Sequence, residues 1–239
     1  GGQAMNSVSD DEARSQADTS PRERVVYLTK QTGVLPCIKL RREDDILAYA
    51  RAMAAGGARV IEVTMTTPGA LTAIKAIAEV FGDDLYVAAG TVLDPMTARE
   101  VILAGGRLIV SPVVLPDVIA TAHRYQVACY AGAYTPTECL TAMQAGADMI
   151  KIFPAQLGGP KYMTNLRMVF PDVNLIPSGG ITEDNAGEYI RCGACAVSGA
   201  RTFMNHEKIA EEGVGWITAQ VARYIEIVRA ARIARPSLP

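Results

Sequence analysis

A closed (β/α)8 barrel, the TIM barrel of the α/β class, is the fold that the sequence predicts, and three observations carry it. Eight short apolar runs alternate in order with amphipathic stretches, the pattern of parallel strands joined by helical crossovers. Many of the amphipathic stretches end in Gly just ahead of the next apolar run, as in Ala55-Gly56-Gly57, Ala104-Gly105-Gly106, Ala145-Gly146 and Cys192-Gly193; helices end this way. The chain has 239 residues, close to the ~250 of a typical barrel. An open doubly wound sheet is the alternative, but it calls for a Gly-rich turn after the first strand, and none is present.

Residues 1–21 are polar and read as a disordered tail, with Gly1-Gly2-Gln3-Ala4 ahead of Met5 resembling an expression remnant. Residues 22–239 form one barrel domain, with no linker or fixed repeat. Arg22–Thr32 is a short helix expected to cover the N-terminal mouth. The predicted strands are Gly33–Leu40, Arg59–Met65, Leu85–Gly90, Arg107–Val110, Val127–Ala131, Ala147–Phe153, Val173–Ile176 and Ala194–Ser198. The predicted helices are Asp44–Ala55, Gly69–Phe81, Pro95–Gly105, Pro116–Tyr125, Thr135–Gly146, Tyr162–Phe170 and Thr182–Cys192. Asp94-Pro95, Thr135-Pro136-Thr137-Glu138 and Thr182-Glu183-Asp184 carry N-terminal capping signals. Ile209–Arg232 reads as one long amphipathic helix that closes the ring.

Composition narrows the partners. Hydrophobic residues make up 49% of the chain and the formal net charge is -2, so a large core is available and neither nucleic acid nor an anionic membrane surface is an expected partner. No apolar run approaches the ~18 residues that span a bilayer, and the N-terminus has no signal-peptide pattern; a soluble, cytoplasmic protein is the expectation. Cys37, Cys129, Cys139, Cys192 and Cys195 are an odd set in apolar contexts, which suits reduced structural thiols. Cys192 and Cys195 have C-x-x-C spacing, but a metal site needs more thiolates or histidines nearby.

Side chains on a strand alternate between faces. Val60, Glu62 and Thr64 share one face of the second strand, and Met149, Lys151 and Phe153 share one face of the sixth. The apolar sets opposite suit the helix layer, which turns Glu62 and Lys151 inward. Leu35, Cys37 and Lys39 share a face of the first strand, so three charges are expected to converge in one cavity. Desolvation favours the neutral, nucleophilic form of an amine, and a carboxylate beside it suits proton transfer. Charged residues on the inner face near strand C-termini are where barrels keep their active sites. Ser178-Gly179-Gly180-Ile181-Thr182 follows the seventh strand and opens a helix, and Ser198-Gly199-Ala200 follows the eighth. Backbone N–H groups and a helix N-terminus in those loops suit a phosphate or other anion.

Glu62-Val63-Thr64-Met65-Thr66-Thr67, Ala89-Gly90-Thr91-Val92-Leu93, Ser111-Pro112, Thr135-Pro136-Thr137-Glu138, Lys151-Ile152-Phe153-Pro154 and Ser178-Gly179-Gly180-Ile181 occur in this order. Together they resemble the 2-keto-3-deoxy-6-phosphogluconate (KDPG) and 4-hydroxy-2-oxoglutarate (KHG) aldolases over roughly residues 26–224. The resemblance implies a class I aldolase, usually a homotrimer, that cleaves a 2-keto acid to pyruvate and an aldehyde without cofactor or metal. It makes Lys151 the Schiff-base lysine and Glu62 the general acid/base. Thr91 would contact the pyruvate carboxylate, Pro112 orient the reactants, and Phe153 shape stereochemistry. Ser178, Gly179 and Gly180 align with the phosphate loop, joined by Ser198 and Gly199.

The chain departs from the family at three places. Thr66 stands where the sugar-acid enzymes carry an arginine, Lys39 replaces an arginine at the end of the first strand and loses its bidentate fork, and Arg201 is an added candidate for the anion. These departures keep an aldolase or decarboxylase for a different anionic 2-keto acid open, alongside a non-catalytic sugar-phosphate-binding barrel. His123 and His206 are the only histidines, and neither falls at a strand end with carboxylate partners, so the lysine is expected to replace a metal as electron sink.

Overall fold

The computed structural model describes residues 19–39 and 45–234. Residues 1–18 of the predicted tail lie outside the described residues, as do Leu40 of the predicted first strand and Asp44 of the helix after it. Strands β1 (Val34–Ile38), β2 (Val60–Thr64), β3 (Tyr86–Gly90), β4 (Leu108–Ser111), β5 (Ala128–Ala133), β6 (Met149–Ile152), β7 (Leu175–Pro177) and β8 (Val197–Gly199) run in order. From β1 to β7 each strand pairs in parallel with the next, and β8 pairs in parallel with β1. A single bridge between Ser178 and Ser198 joins β7 to β8 and completes the ring.

Helix α1 (Pro21–Thr32) precedes the first strand; α2 (Ile46–Ala55), α3 (Ala70–Phe81), α4 (Pro95–Leu103), α5 (Pro116–Arg124), α6 (Pro136–Gln144), α7 (Pro160–Val169) and α8 (Glu183–Arg191) alternate with the strands. Most strands are shorter than the apolar runs that predict them, because the ladder ends before the run does and the flanking residues, such as the exposed Lys39 and Phe153, belong to loops. At the C-terminus the single helix expected over Ile209–Arg232 is instead two, α9 (His206–Glu212) and α10 (Gly215–Ile233). Gly213 divides them in the left-handed region at φ 75, a conformation that Gly adopts at no steric cost.

Local chemistry sets the helix starts. Ser20 accepts from the Glu23 N–H while the Glu23 carboxylate accepts from the Ser20 N–H, a reciprocal box that starts α1. Thr135 and Glu138 repeat the device at α6, and the Asp94 carboxylate accepts from the Thr97 N–H at 2.8 Å to start α4.

The apolar residues divide into an inner and an outer core. Ile61, Val63, Ile109 and Ile150 face outward into the helix layer. Leu35, Val60, Leu108, Val110, Tyr130, Met149 and Ile176 fill the barrel interior, each large aliphatic side chain contributing about 1.5–3 kcal/mol by burial. Val25 and Leu28 of α1 plug that interior from the N-terminal end, and the Tyr130 hydroxyl donates to Thr29 Oγ1 at 2.9 Å beneath them. Asp148 ties the plug down: it accepts from Arg22 Nε at 2.7 Å and from the Cys129 N–H at 2.8 Å, with His123 Nε2 at 3.2 Å. Helix α1 thereby covers the N-terminal mouth, and the cavity that holds Glu62 and Lys151 opens toward the strand C-termini.

Candidate active site

Glu62 of β2 and Lys151 of β6 meet inside the ring. Lys151 Nζ lies 3.3 Å from Glu62 Oε2 and 3.4 Å from Oε1; the side chains are 12% and 2% exposed. Strand alternation turns both inward, and the floor of buried side chains beneath them excludes bulk water. Two glycines make the meeting possible. A Cβ on Gly90 would lie 1.9 Å from Glu62 Oε1, so the carboxylate occupies the space that any larger residue would fill. Gly132 pairs with Lys151 in register, and a Cβ there would lie 2.1 Å from the Pro112 carbonyl carbon and oxygen. The loop after β4 can therefore cross close to the lysine strand.

Cys37 of β1 completes the contact around the acid. Its thiol donates to Glu62 Oε1 at 3.4 Å. Burial, and then the Glu62 carboxylate, push the thiol well above the ordinary range, so Cys37 remains a neutral donor. The sequence placed Cys37 on the inner face without a role; its contact with Glu62 depends on closure of the β1–β2 pair.

A cavity of about 990 Å³ opens above this pair. Of the sequence-predicted residues, Glu62, Lys151, Thr91, Pro112, Phe153, Ser178, Gly179, Gly180 and Gly199 line it. Thr91 is held in the left-handed region at φ 60, a strained geometry for a β-branched residue of the kind found at functional sites. Phe153 is 46% exposed at the rim. Gly179 and Gly180 have φ of 88 and 73, and a side chain on either would strike Gln156. The Asn185 carboxamide oxygen accepts from the Thr182 N–H at 2.9 Å, starting α8 just beyond the loop.

Three predicted residues stand apart from the wall. Lys39 follows the last residue of β1, is exposed, and does not line the cavity, which corrects the expectation of a third inward charge. The strand ends at Ile38, so alternation no longer governs where Lys39 points; its charge still reaches Cys37. Thr66 is exposed in the turn after β2 and its hydroxyl is 2.6 Å from that of Thr64, engaged along its own turn and off the wall. Ser198 is fully buried with an unpartnered hydroxyl, one residue below the lining Gly199.

The cavity also extends farther than the motifs indicate, past Thr182, Glu183, Asp184 and Arg201 to Asn205, Trp216, Gln220 and Tyr224. Arg201 is the one of these that the sequence singles out for a substrate anion. Trp216 and Gln220 belong to α10, and the single tryptophan near the start of the last helix is the signal that was there to be read. Cys192 and Cys195 are free thiols, and Cys195 donates to the Leu175 carbonyl at 3.1 Å.

A family described as KDPG and KHG aldolase matches residues 25–220. The chain belongs to the KDPG/KHG aldolase family. Members of this family are carbon–carbon lyases. The aldolase is 33% identical over 194 residues to the 2-dehydro-3-deoxy-6-phosphogalactonate aldolase of Escherichia coli, covering 77% of this chain and 94% of that one. It is 33% identical over 201 residues to the 2-dehydro-3-deoxy-phosphogluconate aldolase of Pseudomonas aeruginosa, covering 84% and 89%. Among solved structures, the KDPG aldolase of Legionella pneumophila with pyruvate captured as a covalent carbinolamine superposes with a TM-score of 0.77 at 29% identity, covering 85% of this chain and 97% of that one.

Proposed function

We propose that this aldolase cleaves a 2-keto-3-deoxy sugar acid, phosphorylated or not, or 4-hydroxy-2-oxoglutarate, to pyruvate and an aldehyde through a Schiff base on Lys151. The single observation that carries the reading is the enclosed Lys151–Glu62 pair at 3.3 Å on the cavity floor. A structural ion pair would be satisfied anywhere in the core. This one lies at the C-terminal end of the strands, where barrel enzymes keep their chemistry.

In this reading Lys151 Nζ, in its neutral form, attacks the substrate C2 carbonyl carbon. The carbinolamine loses its hydroxyl as water, with Glu62 supplying the proton, and leaves an iminium. Glu62 then accepts the proton of the C4 hydroxyl. The C3–C4 bond breaks, the C4 oxygen closes to the aldehyde, and the electron pair passes through C3 into the iminium to give an enamine. Glu62 returns its proton to C3, water adds to the resulting iminium, and pyruvate leaves with the free amine restored. The lysine is the electron sink throughout, and one carboxylate serves as acid and base in alternate steps. Thr91 and Pro112 hold the pyruvate half and Phe153 borders C4. Ser178, Gly179, Gly180 and Gly199, with the buried Ser198 behind them, receive the far end of the substrate. Lys39 and Thr66 would act only from outside the wall.

The same reading has a freely diffusing 2-keto acid as partner, a homotrimeric assembly by family resemblance, and a cytoplasmic setting, which five free thiols suit. Among the described residues no helix is long and apolar enough to cross a membrane. Borohydride reduction in the presence of pyruvate tests the chemistry: a covalent adduct on the peptide holding Lys151 is expected, absent from Lys151→Ala. An unmodified Lys151 would end the Schiff-base reading.

A further inference from the structure

The Cys37 thiol has no part in the bond and proton changes assigned to Lys151 and Glu62, yet it sits on the acid. Cys37 and Glu62 are partners in the parallel β1–β2 register, so their side chains stand beside each other on the inner face, and both line the cavity. The thiol donates to Glu62 Oε1 at 3.4 Å. Oε1 is also the oxygen packed over Gly90, where a Cβ would come within 1.9 Å of it. Lys151 Nζ reaches both oxygens, at 3.4 Å for Oε1 and 3.3 Å for Oε2. The thiol and the bare glycine therefore make the two oxygens different: Oε1 is boxed against β1 and β3, and Oε2 is not.

Cys37 and Lys151 behave differently as donors once the amine reacts. On becoming an iminium the lysine gives up an N–H, and its nitrogen is then planar and joined to substrate C2. Its hold on Glu62 loosens at the stage where the acid must meet C3. The thiol is untouched by these changes. Burial, and then the Glu62 carboxylate, hold it well above the ordinary range, so it donates without surrendering its proton. If Cys37 served only to fill space, any small apolar side chain would do. Such a side chain would withdraw a donor from a carboxylate that is 2% exposed, and a buried charge is costly unless it is hydrogen-bonded.

We propose that Cys37 is a positioning residue: its thiol pins Oε1 of Glu62 through the iminium and enamine stages, so that Oε2 is the oxygen that trades protons with the substrate. This inference rests on the Schiff-base reading above and adds to it which carboxylate oxygen works and what keeps it in place. Substrate C3 lies one bond beyond the C2 that Lys151 holds, and Oε2, next to Nζ and not held by the thiol, is the oxygen placed to reach it. Without the thiol the carboxylate turns more freely about its last side-chain bond once the amine has reacted, and the working oxygen spends less time aligned with C3.

The test follows exchange of the pyruvate methyl protons in D₂O by proton NMR, with borohydride trapping on Lys151 run in parallel. In the exchange Glu62 takes a proton from C3 of the pyruvate iminium, the C–H pair becomes the C2=C3 bond, and the iminium π pair moves onto nitrogen. Return of a deuteron to C3 reverses the step. Cys37→Ala and Cys37→Val both remove the donor, and valine keeps the space filled. Each is expected to lower kcat for exchange about tenfold with KM held, the lower end of what a hydrogen bond to a charged group contributes, because a thiol is a weak donor. Trapping is expected to persist in both, and Cys37→Ser, which keeps a donor, is expected to recover most of the exchange. Exchange at the unsubstituted rate in either folded donor-free variant, a loss in Cys37→Ser that matches Cys37→Ala, or a loss of trapping as large as the loss of exchange would overturn this inference and leave the aldolase reading standing. Failure to trap pyruvate on Lys151 of the unsubstituted protein would overturn both.

Discussion

Gly90→Ala tests the active-site geometry most directly, because a single methyl group would be placed where the acid now lies. The new Cβ would sit 1.9 Å from Glu62 Oε1, 2.6 Å from Cδ and 2.9 Å from Cγ. Gly90 is not among the glycines with positive φ, so alanine fits the strand backbone and the collision with Glu62 is what changes. Ordinary contact begins near 3.4 Å, so the carboxylate must retreat by roughly 1.5 Å. The Lys151 contact is 3.3 Å now, and a shift of that size takes it out of hydrogen-bond range. Overpacking of this kind costs about 2 kcal/mol, which for a domain of this size lowers Tm by about 4–8 °C. A misplacement of ~1 Å in a catalytic group costs on the order of 10²-fold in rate, and kcat/KM is expected to fall by at least that. The assay is pyruvate release coupled to NADH oxidation by lactate dehydrogenase, with a thermal melt on the same sample. Slow borohydride trapping on Lys151 should survive, since the nucleophile is untouched. A variant with near-normal rate and unchanged Tm would refute the placement of Glu62 over Gly90.

Two further expectations concern stability. Burial pushes the Cys129 thiol up to about 12, and the Cys139 and Cys195 thiols up to about 11; in the unfolded chain thiols titrate near ~8.5. Between these values the unfolded state binds fewer protons, so stability is full below pH ~8.5 and falls as pH rises toward 11–12. Urea midpoints from pH 7.5 to 10.5 should decline, less steeply in Cys129→Ala; a flat profile would contradict the buried thiols. Asp148→Ala removes the acceptor of the buried Cys129 N–H and the partner of Arg22, at a cost of about 1–3 kcal/mol. Its Tm should drop while kcat/KM at 25 °C holds, because Asp148 lies at the closed end of the barrel; a large loss of activity in the fully folded variant would argue against that separation.

The fold was legible because its signals are local. The period of two in Val60–Thr64 and in Met149–Phe153 is enough to turn Glu62 and Lys151 inward, and the glycines closing α2, α4, α6 and α8 mark each crossover. Errors arose where local period stops governing. Alternation turns Lys39 inward only when it is extended one residue past the end of β1 at Ile38. Ile209–Arg232 keeps a helical pattern across Gly213, and the pattern does not show that the helix breaks there at φ 75. Most of the cavity's far arm, beyond Thr182, escaped because Asp184 and Trp216 belong to no common motif, and Arg201 alone is legible as a candidate for an anion.

The chain alone therefore determined the order of elements, the side of each strand that faces the interior, and the pairing of an amine with a carboxylate as the chemical centre, since these follow from spacing along the backbone. Tertiary structure decided how close they come. The 3.3 Å contact between β2 and β6 and the meeting of α8, α9 and α10 around one cavity depend on closing eight strands into a ring, while the thiol of Cys37 on the acid and the space left by Gly90 and Gly132 depend on the register of neighbouring strands. Ring closure sets distances between residues far apart in the chain, and no local pattern encodes them.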